Sequence, residues 1–523
     1  MGKSRRPDRG RSTAFLGAIL GLGITLLACA GCPAPADPRV AGERSPGSSD
    51  TASGSGGKEE SGNATERSGP PLRLLFVDDP EFATAFEREW RSVSEEPLEI
   101  QRIAGSELGP AFRLPPADGV VFPIGLLGTL AETGQIVPLP AAFWDGDRLA
   151  RRELLETARK REAFWGQQPY AVPLGSNLPV LLYRKDLFEA LKLTPPRDWQ
   201  EFQIMAERLR ERPESPGAVA ATEWHGVLEP LAPGSAAVTL LIRAAAYVRH
   251  PNQYSTLFDL VTMTPRIDGP PFLRALEELQ AVHAMNPGPA LERDVHAVRR
   301  ELLAGHAAAA ICWPQPATAS SQADATKPSE STLQRNDSEA IFGVAMLPGA
   351  RDVFNADQRQ WEPRPADEQR QTVPLWAISG RLGGVMATSR RAGPAANLLA
   401  LLATADWGRK VLMSGQQAGV SRIQQLERPD DWVDAQLAGE AAREFAAVVG
   451  DSQRLPAWMA VPRIPGRDRY LATLDEAVRK AVRGERSTDE ALAEAAQQWN
   501  AITTELGKDA QKKAYRRCLG VEP

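Results

Sequence analysis

Cysteine is scarce in this chain of 523 residues: four in all, with Cys29 and Cys32 close to the N-terminus. The remaining two, Cys312 and Cys518, are too few for the disulfide framework of a small secreted scaffold, and whether they pair with each other stays open. Histidine is scarcer for the length, with five residues, and His225, His250, His283, His296 and His306 fall into no spacing that suits zinc. There is no Gly-x-Ser-x-Gly elbow, and Gly56-Gly57-Lys58-Glu59 lacks the Ser/Thr of a phosphate loop. Carboxylates are plentiful, but no spacing among them singles out a glycosidase pair. No metal and no cofactor is expected. Neither sign of charge is in excess: 61 Lys+Arg face 66 Asp+Glu, a net charge of −5. That balance gives no drive toward nucleic acid. No period of 20–50 residues recurs, which excludes solenoids and propellers. Aromatics make up only 6%, yet Trp (12) is twice as frequent as Tyr (6), so the question becomes what the indoles face.

Long apolar runs are also rare, and the clearest is Ala14–Ala28. It follows Lys3, Arg5, Arg6, Arg9 and Arg11 and is short of the ~20 residues that span a bilayer, which suits a signal peptide. Leu26-Leu27-Ala28-Cys29 has the apolar and small residues that a lipid-attached cysteine needs before it, and Cys29-Ala30-Gly31-Cys32 is the second choice. An uncleaved anchor helix is the alternative. Residues 1–31 are therefore read as a lipoprotein-type signal and 32–71 as a disordered tether of Pro, Gly, Ser, Ala and charge. The chain is expected to be exported, periplasmic or at the cell surface, and anchored to the membrane.

At ~100–200 residues per domain the length allows two to four units. The runs Leu72–Val77, Leu98–Ile103 and Asp118–Phe122 read as strands, with a helical pattern over Glu81–Val93 between the first two. That alternation indicates an α/β fold with a mainly parallel sheet, whose ligands bind beyond the carboxyl ends of the strands. Further helices are expected over Lys185–Leu191, Ala236–Val248, Phe272–Val282 and Tyr470–Val482. Asp198 with Glu201, and Ser487 with Glu490, are spaced to cap helix starts. Residues 317–337 read as a polar loop.

Three segments carry a more specific signal: Tyr170-Ala171-Val172-Pro173, Tyr183-Arg184-Lys185-Asp186-Leu187-Phe188 and Pro195-Pro196-Arg197-Asp198-Trp199-Gln200-Glu201-Phe202. In order behind them come Leu303–Trp313, Phe342–Gly349 and Ala395–Thr404. This series resembles the extracellular solute-binding proteins of ABC importers, in the class of maltose- and other sugar-binding proteins, in a lipoprotein form. The resemblance runs from Leu72 to Gly520. It implies a two-lobed periplasmic-binding-protein-like α/β fold with a hinge and a central ligand cleft. Lobe 1 would hold 72–175 plus 338–392, and lobe 2 would hold 176–316 plus 393–523. It further implies a non-enzymatic monomer that captures a small solute, in class a carbohydrate, and delivers it to the permease subunits. A secreted carbohydrate-active enzyme and a sensory or interaction lipoprotein are the competing readings, and the sequence names neither the solute nor the permease.

A sugar presents an apolar face to an indole and a rim of hydroxyls to polar side chains. On that chemistry Trp313, at the end of the strand the family uses for a stacking aromatic, is a candidate contact. Trp224 in its loop and Trp376 with Arg381 at a cleft mouth are others. Asp78 and Asp79 follow the first strand, Asn177 lies near a lobe crossing, and Arg422 stands where the family ends a helix at the cleft edge. Trp90, Trp165, Trp199, Trp407 and Trp499 suit packing instead.

Overall fold

The run Leu72–Val77 becomes fully buried from Leu74 onward and lies between two parallel partners, Leu98–Ile103 and Gly119–Pro123. This computed structural model describes residues 70–105, 112–211, 224–285, 290–316, 341–365, 370–415 and 417–522. The expected signal (1–31) with Cys29 and Cys32, all but the last two residues of the expected tether, and the polar loop 317–337 lie outside the described residues.

The first sheet is completed by Gly380–Met386, which runs antiparallel to Gly119–Pro123 and also pairs with Ile136–Val137 and Ala171–Ser176. The sheet is therefore mixed rather than mainly parallel, because a distant part of the chain returns to close it. Helix Pro80–Val93 starts on Pro80, where the missing N–H costs nothing, and buries Phe82, Ala83, Ala85 and Phe86 against the sheet. Phe82 meets Phe76 edge to face at 5.5 Å.

The second sheet has the order Phe342–Ala345, Val180–Arg184, Ala307–Cys312, His225–Leu228. Its strand Ala307–Cys312, sequence AAAAIC, is buried throughout, and helix Val295–Leu303 packs on it. Helix Ala236–Val248, rich in Ala and buried on nearly every side, is enclosed by helices Pro270–Ala284 and Arg467–Val482, with Thr488–Glu505 behind the latter. Inside this layer Arg243 forms a fully buried pair with Glu229 (2.8 and 2.6 Å) and stacks over Trp199 at 4.6 Å. Both expected caps form: Asp198 accepts from Glu201 N at 2.9 Å, and Ser487 and Glu490 make a reciprocal box.

Each sheet with its helices is a lobe. The chain leaves the first after Ser176, returns with Gly380–Met386 and helix Ala392–Leu402, and leaves again ahead of helix Glu440–Ser452, which packs on Phe342–Ala345. Two segments thus sit opposite to the expected division. Phe342–Ala345 pairs with Val180–Arg184 in the second sheet, and Ala392–Leu402 covers the first. A short apolar strand has the same pattern whichever sheet it joins, so pairing decided what periodicity left open. No helix among the described residues is long and apolar enough to cross a membrane.

Candidate functional site

The chain passes between the lobes where three glycines meet backbone to backbone. Gly175 has φ +116°, and a Cβ there would lie 2.4 Å from Gly419 O; one on Gly419 would lie 2.4 Å from Ser176 O. Beside them Ser176 and Val420 exchange backbone hydrogen bonds of 3.2 and 3.1 Å, and Gly380 pairs with Ser176. Side chains are excluded here because three segments must approach within hydrogen-bonding distance at one point.

Against this crossing lies a cavity of about 590 Å³. One side is the strand end Ile311–Trp313, whose small predecessors bring the indole to the cavity floor. A second is the start of helix Ala236–Val248, and a third is the stripe Leu471, Asp475 and Arg479 of helix Arg467–Val482. Pro179, Ile378 and Ser379 close it from the crossing, and Gln417 is the contribution from the first lobe's helical end.

The polar groups around the cavity are held from behind. Asp475 accepts from Ala237 N at 3.1 Å at the start of helix Ala236–Val248, and burial raises its carboxyl above the usual range. Burial, then the charge of Arg299, lowers His296 to about 4, so its imidazole is neutral at pH 7. Burial pushes the Cys312 thiol up, leaving it protonated and inert. Ser379 Oγ accepts from Asn177 Nδ2 at 2.9 Å, and Gln417 Oε1 accepts from Gly380 N at 3.0 Å. An indole face, an amide, a hydroxyl and a neutral imidazole on one rim suit a ligand that is apolar on a face and polar at its edge. Among the described residues no group of His, Cys, Asp and Glu is placed to hold a metal ion.

The structure separates the sequence candidates. Trp313 borders the cavity, and Asn177 stands one hydrogen bond behind it through Ser379. Trp224 is buried elsewhere, with Nε1 donating to Leu209 O at 3.1 Å. Trp376 lies under the Arg463 guanidinium at 4.5 Å. Asp79 and Arg381 bind each other in the first lobe: Arg381 Nη2 donates to Asp79 Oδ1 at 3.2 Å, Nε donates to Oδ2, and Nη1 donates to Leu412 O at 2.7 Å. Asp79 therefore does not cap the helix it precedes. Asp78 is exposed at φ +56° and accepts from Gly105 N at 2.5 Å. Arg422 donates to Leu149 O at 2.9 Å, to Glu153 at 3.1 Å and to Ala403 O. Trp165, Trp199, Trp407 and Trp499 are buried in packing, Trp499 stacked on Phe258 at 5.0 Å.

Sequence reasoning missed His296, Gln417, Asp475 and Arg479. The charged side of Tyr470–Val482 reads as a solvated face; the available signal was the spacing of four that puts Asp475 and Arg479 in one stripe with Leu471.

Residues 98–332 match the family described as bacterial extracellular solute-binding protein. A multiple sugar-binding protein of Streptococcus mutans is 39% identical over 57 residues, 11% of this chain and 14% of that protein's own length. Among solved structures, the fold is similar to an ABC transporter solute-binding protein of Agrobacterium radiobacter in complex with ribitol. That alignment has TM-score 0.58 and 17% identity, and covers 83% of this chain and 99% of the other. The sugar-binding protein of Xanthomonas citri has TM-score 0.58 and 15% identity, covering 83% and 98%. One from Agrobacterium vitis with bound D-mannitol has TM-score 0.55 and 15% identity, covering 84% and 99%. All four are binding proteins by name, two of them for ABC transporters. The fold of the described body is thus that of these solute-binding proteins, and the stretch 98–332 is similar to the family of bacterial extracellular solute-binding proteins.

Proposed function

We propose that the protein captures a small polyhydroxylated solute, a sugar or polyol, outside the cytoplasm and hands it to the permease of an ABC importer. The cavity beside the lobe crossing, floored by Trp313 and rimmed by Ser379, Gln417, His296 and the charged stripe of Asp475 and Arg479, is the observation that carries this reading. The solute lies with one face on the indole, and its hydroxyls meet Ser379, Gln417 and His296. Closure of the lobes about the glycine crossing buries it and creates the form the permease accepts. The relatives' ligands support the chemistry: ribitol and D-mannitol are bound in two proteins of the same fold. We read Cys29, with Cys32 as second choice, as the lipid attachment point, residues 32–71 as the tether and the body as a monomer.

A thermal-shift screen against sugars and polyols, followed by calorimetry, tests the function. A ligand that binds only the folded state raises Tm with concentration and binds at one per chain without being converted. A library that produces no shift, or a ligand that is consumed, overturns the reading.

A further inference from the structure

Glu162 is a carboxyl group almost without water, 3% exposed, at the end of the wide helical turn Ala158–Glu162 packed on strand Ala171–Ser176. Its Oε1 accepts from Ser176 Oγ at 2.6 Å. Ser176 is the residue whose backbone is tied to Val420 and paired with Gly380 at the lobe crossing. The cation facing Glu162 from the second lobe is Arg463, in the segment that leads into helix Arg467–Val482. Arg463 directs its hydrogen bonds to main-chain carbonyls instead: Glu162 O at 2.9 Å, Arg161 O at 3.3 Å and Phe164 O at 3.2 Å. Its guanidinium lies on Trp376 at 4.5 Å, with Trp165 at 5.9 Å and Cys518 as a further neighbour. On Glu162's own turn, Lys160 pairs with Glu156 at 2.9 Å and Arg161 follows it on the outside.

We propose that Glu162 is a protonation switch for the lobe crossing. The packed arrangement seen here, with Gly175, Gly380 and Gly419 in contact beside Ser176, shuts the carboxyl off from water and so goes with its neutral form. The ionised carboxylate has one hydroxyl donor and an otherwise committed arginine, so it favours an arrangement that admits water at the crossing. Burial is the dominant influence on this group and raises it from 4.5 to about 7, against the opposing pulls of Ser176 and Arg463. A carboxyl raised on folding contributes stability that is fully present below its ordinary value and is lost as pH rises through the raised one. The window is therefore between 4.5 and about 7, with the packed crossing favoured on the acid side.

The test compares the full chain, Glu162→Gln and Ser176→Ala by thermal unfolding and tryptophan fluorescence from pH 5 to 8.5, without ligand. The expected result is a wild-type Tm that falls relative to Glu162→Gln as pH rises and levels off above about 7, with a native-state fluorescence midpoint near 7. Ser176→Ala, which keeps the carboxyl but removes the donor that favours its charge, moves that midpoint upward. Parallel curves for wild type and Glu162→Gln, or a midpoint in the ordinary carboxylate range, overturn the switch. A solute found by the library screen is then titrated at both ends of the range, and this arm alone rests on the proposed function. Affinity several-fold weaker at the alkaline end in wild type and constant in Glu162→Gln supports the switch. Binding with the same pH profile in both refutes it. A protein that shows the ligand-free midpoint but binds no sugar keeps the switch and loses the transport reading.

Discussion

Replacing Asp79 by Ala separates a structural ion pair from a ligand contact. In the folded chain Arg381 is 2% exposed, with two hydrogen bonds to the Asp79 carboxylate, one each to Leu412 O and Ser414 O, and its guanidinium 4.5 Å from the Phe82 ring. Removing the carboxylate leaves a buried cation whose only countercharge among the described residues has gone, a change that costs about 3–5 kcal/mol. The two carbonyls and the ring remain, so we expect about 3 kcal/mol, roughly two decades in the folding equilibrium. With a urea slope of ~3 kcal/mol/M, the unfolding midpoint should fall by ~1 M. Urea titration followed by tryptophan emission reads this directly, because Trp407 and Trp90 pack around Phe86 on the same helix face. The paired change Asp79→Leu with Arg381→Met removes both charges and should recover most of the loss. Solute affinity of the folded Asp79→Ala protein should equal that of wild type. A loss below ~1 kcal/mol, or intact stability with abolished binding, would refute the reasoning and return Asp79 to the ligand.

Trp313→Ala should remove about 1.5–3 kcal/mol of apolar contact with the solute, roughly ten- to a hundredfold in Kd, while Trp224→Phe and Trp376→Phe leave Kd within about twofold. Calorimetry on the three variants checks this, and equal affinity of Trp313→Ala and wild type would dismiss the cavity as the site. Gly419→Ala places a Cβ 2.4 Å from Ser176 O, which should cost ~1–3 kcal/mol and lower Tm. An unchanged Tm in that variant would show that the crossing is looser than described.

Much of the fold was legible because its strands and helices carry strong local patterns. Leu72–Val77, Leu98–Ile103 and Ala236–Val248 fall where periodicity put them, and the caps at Asp198 and Ser487 are local events three residues long. Lobe membership was not legible for Phe342–Ala345, since an apolar strand of four residues satisfies either sheet. The site was harder for the same reason in reverse. Asp79, Arg381 and Arg422 have the chemistry of ligand contacts, but each is already occupied by partners distant in sequence, and only the fold brings those partners near. Trp313 was reachable because the small residues before it and Pro314 after it mark a buried strand end. Asp475 and Arg479 were hidden in a helix whose other face explains its amphipathic pattern by itself.

The cavity is lined unevenly. Its walls come from the second lobe and the crossing, and the first lobe supplies Gln417. On the proposed function a solute settles on the second lobe while the clamp is open, at a rate set by diffusion and by the orientation of the ring on the indole. Lobe movement enters afterwards and acts on escape: the longer the first lobe covers the occupied wall, the longer the solute stays. Changes to the crossing should then appear in residence time, whereas changes to Trp313 or the stripe beside it should alter how well the first encounter is kept.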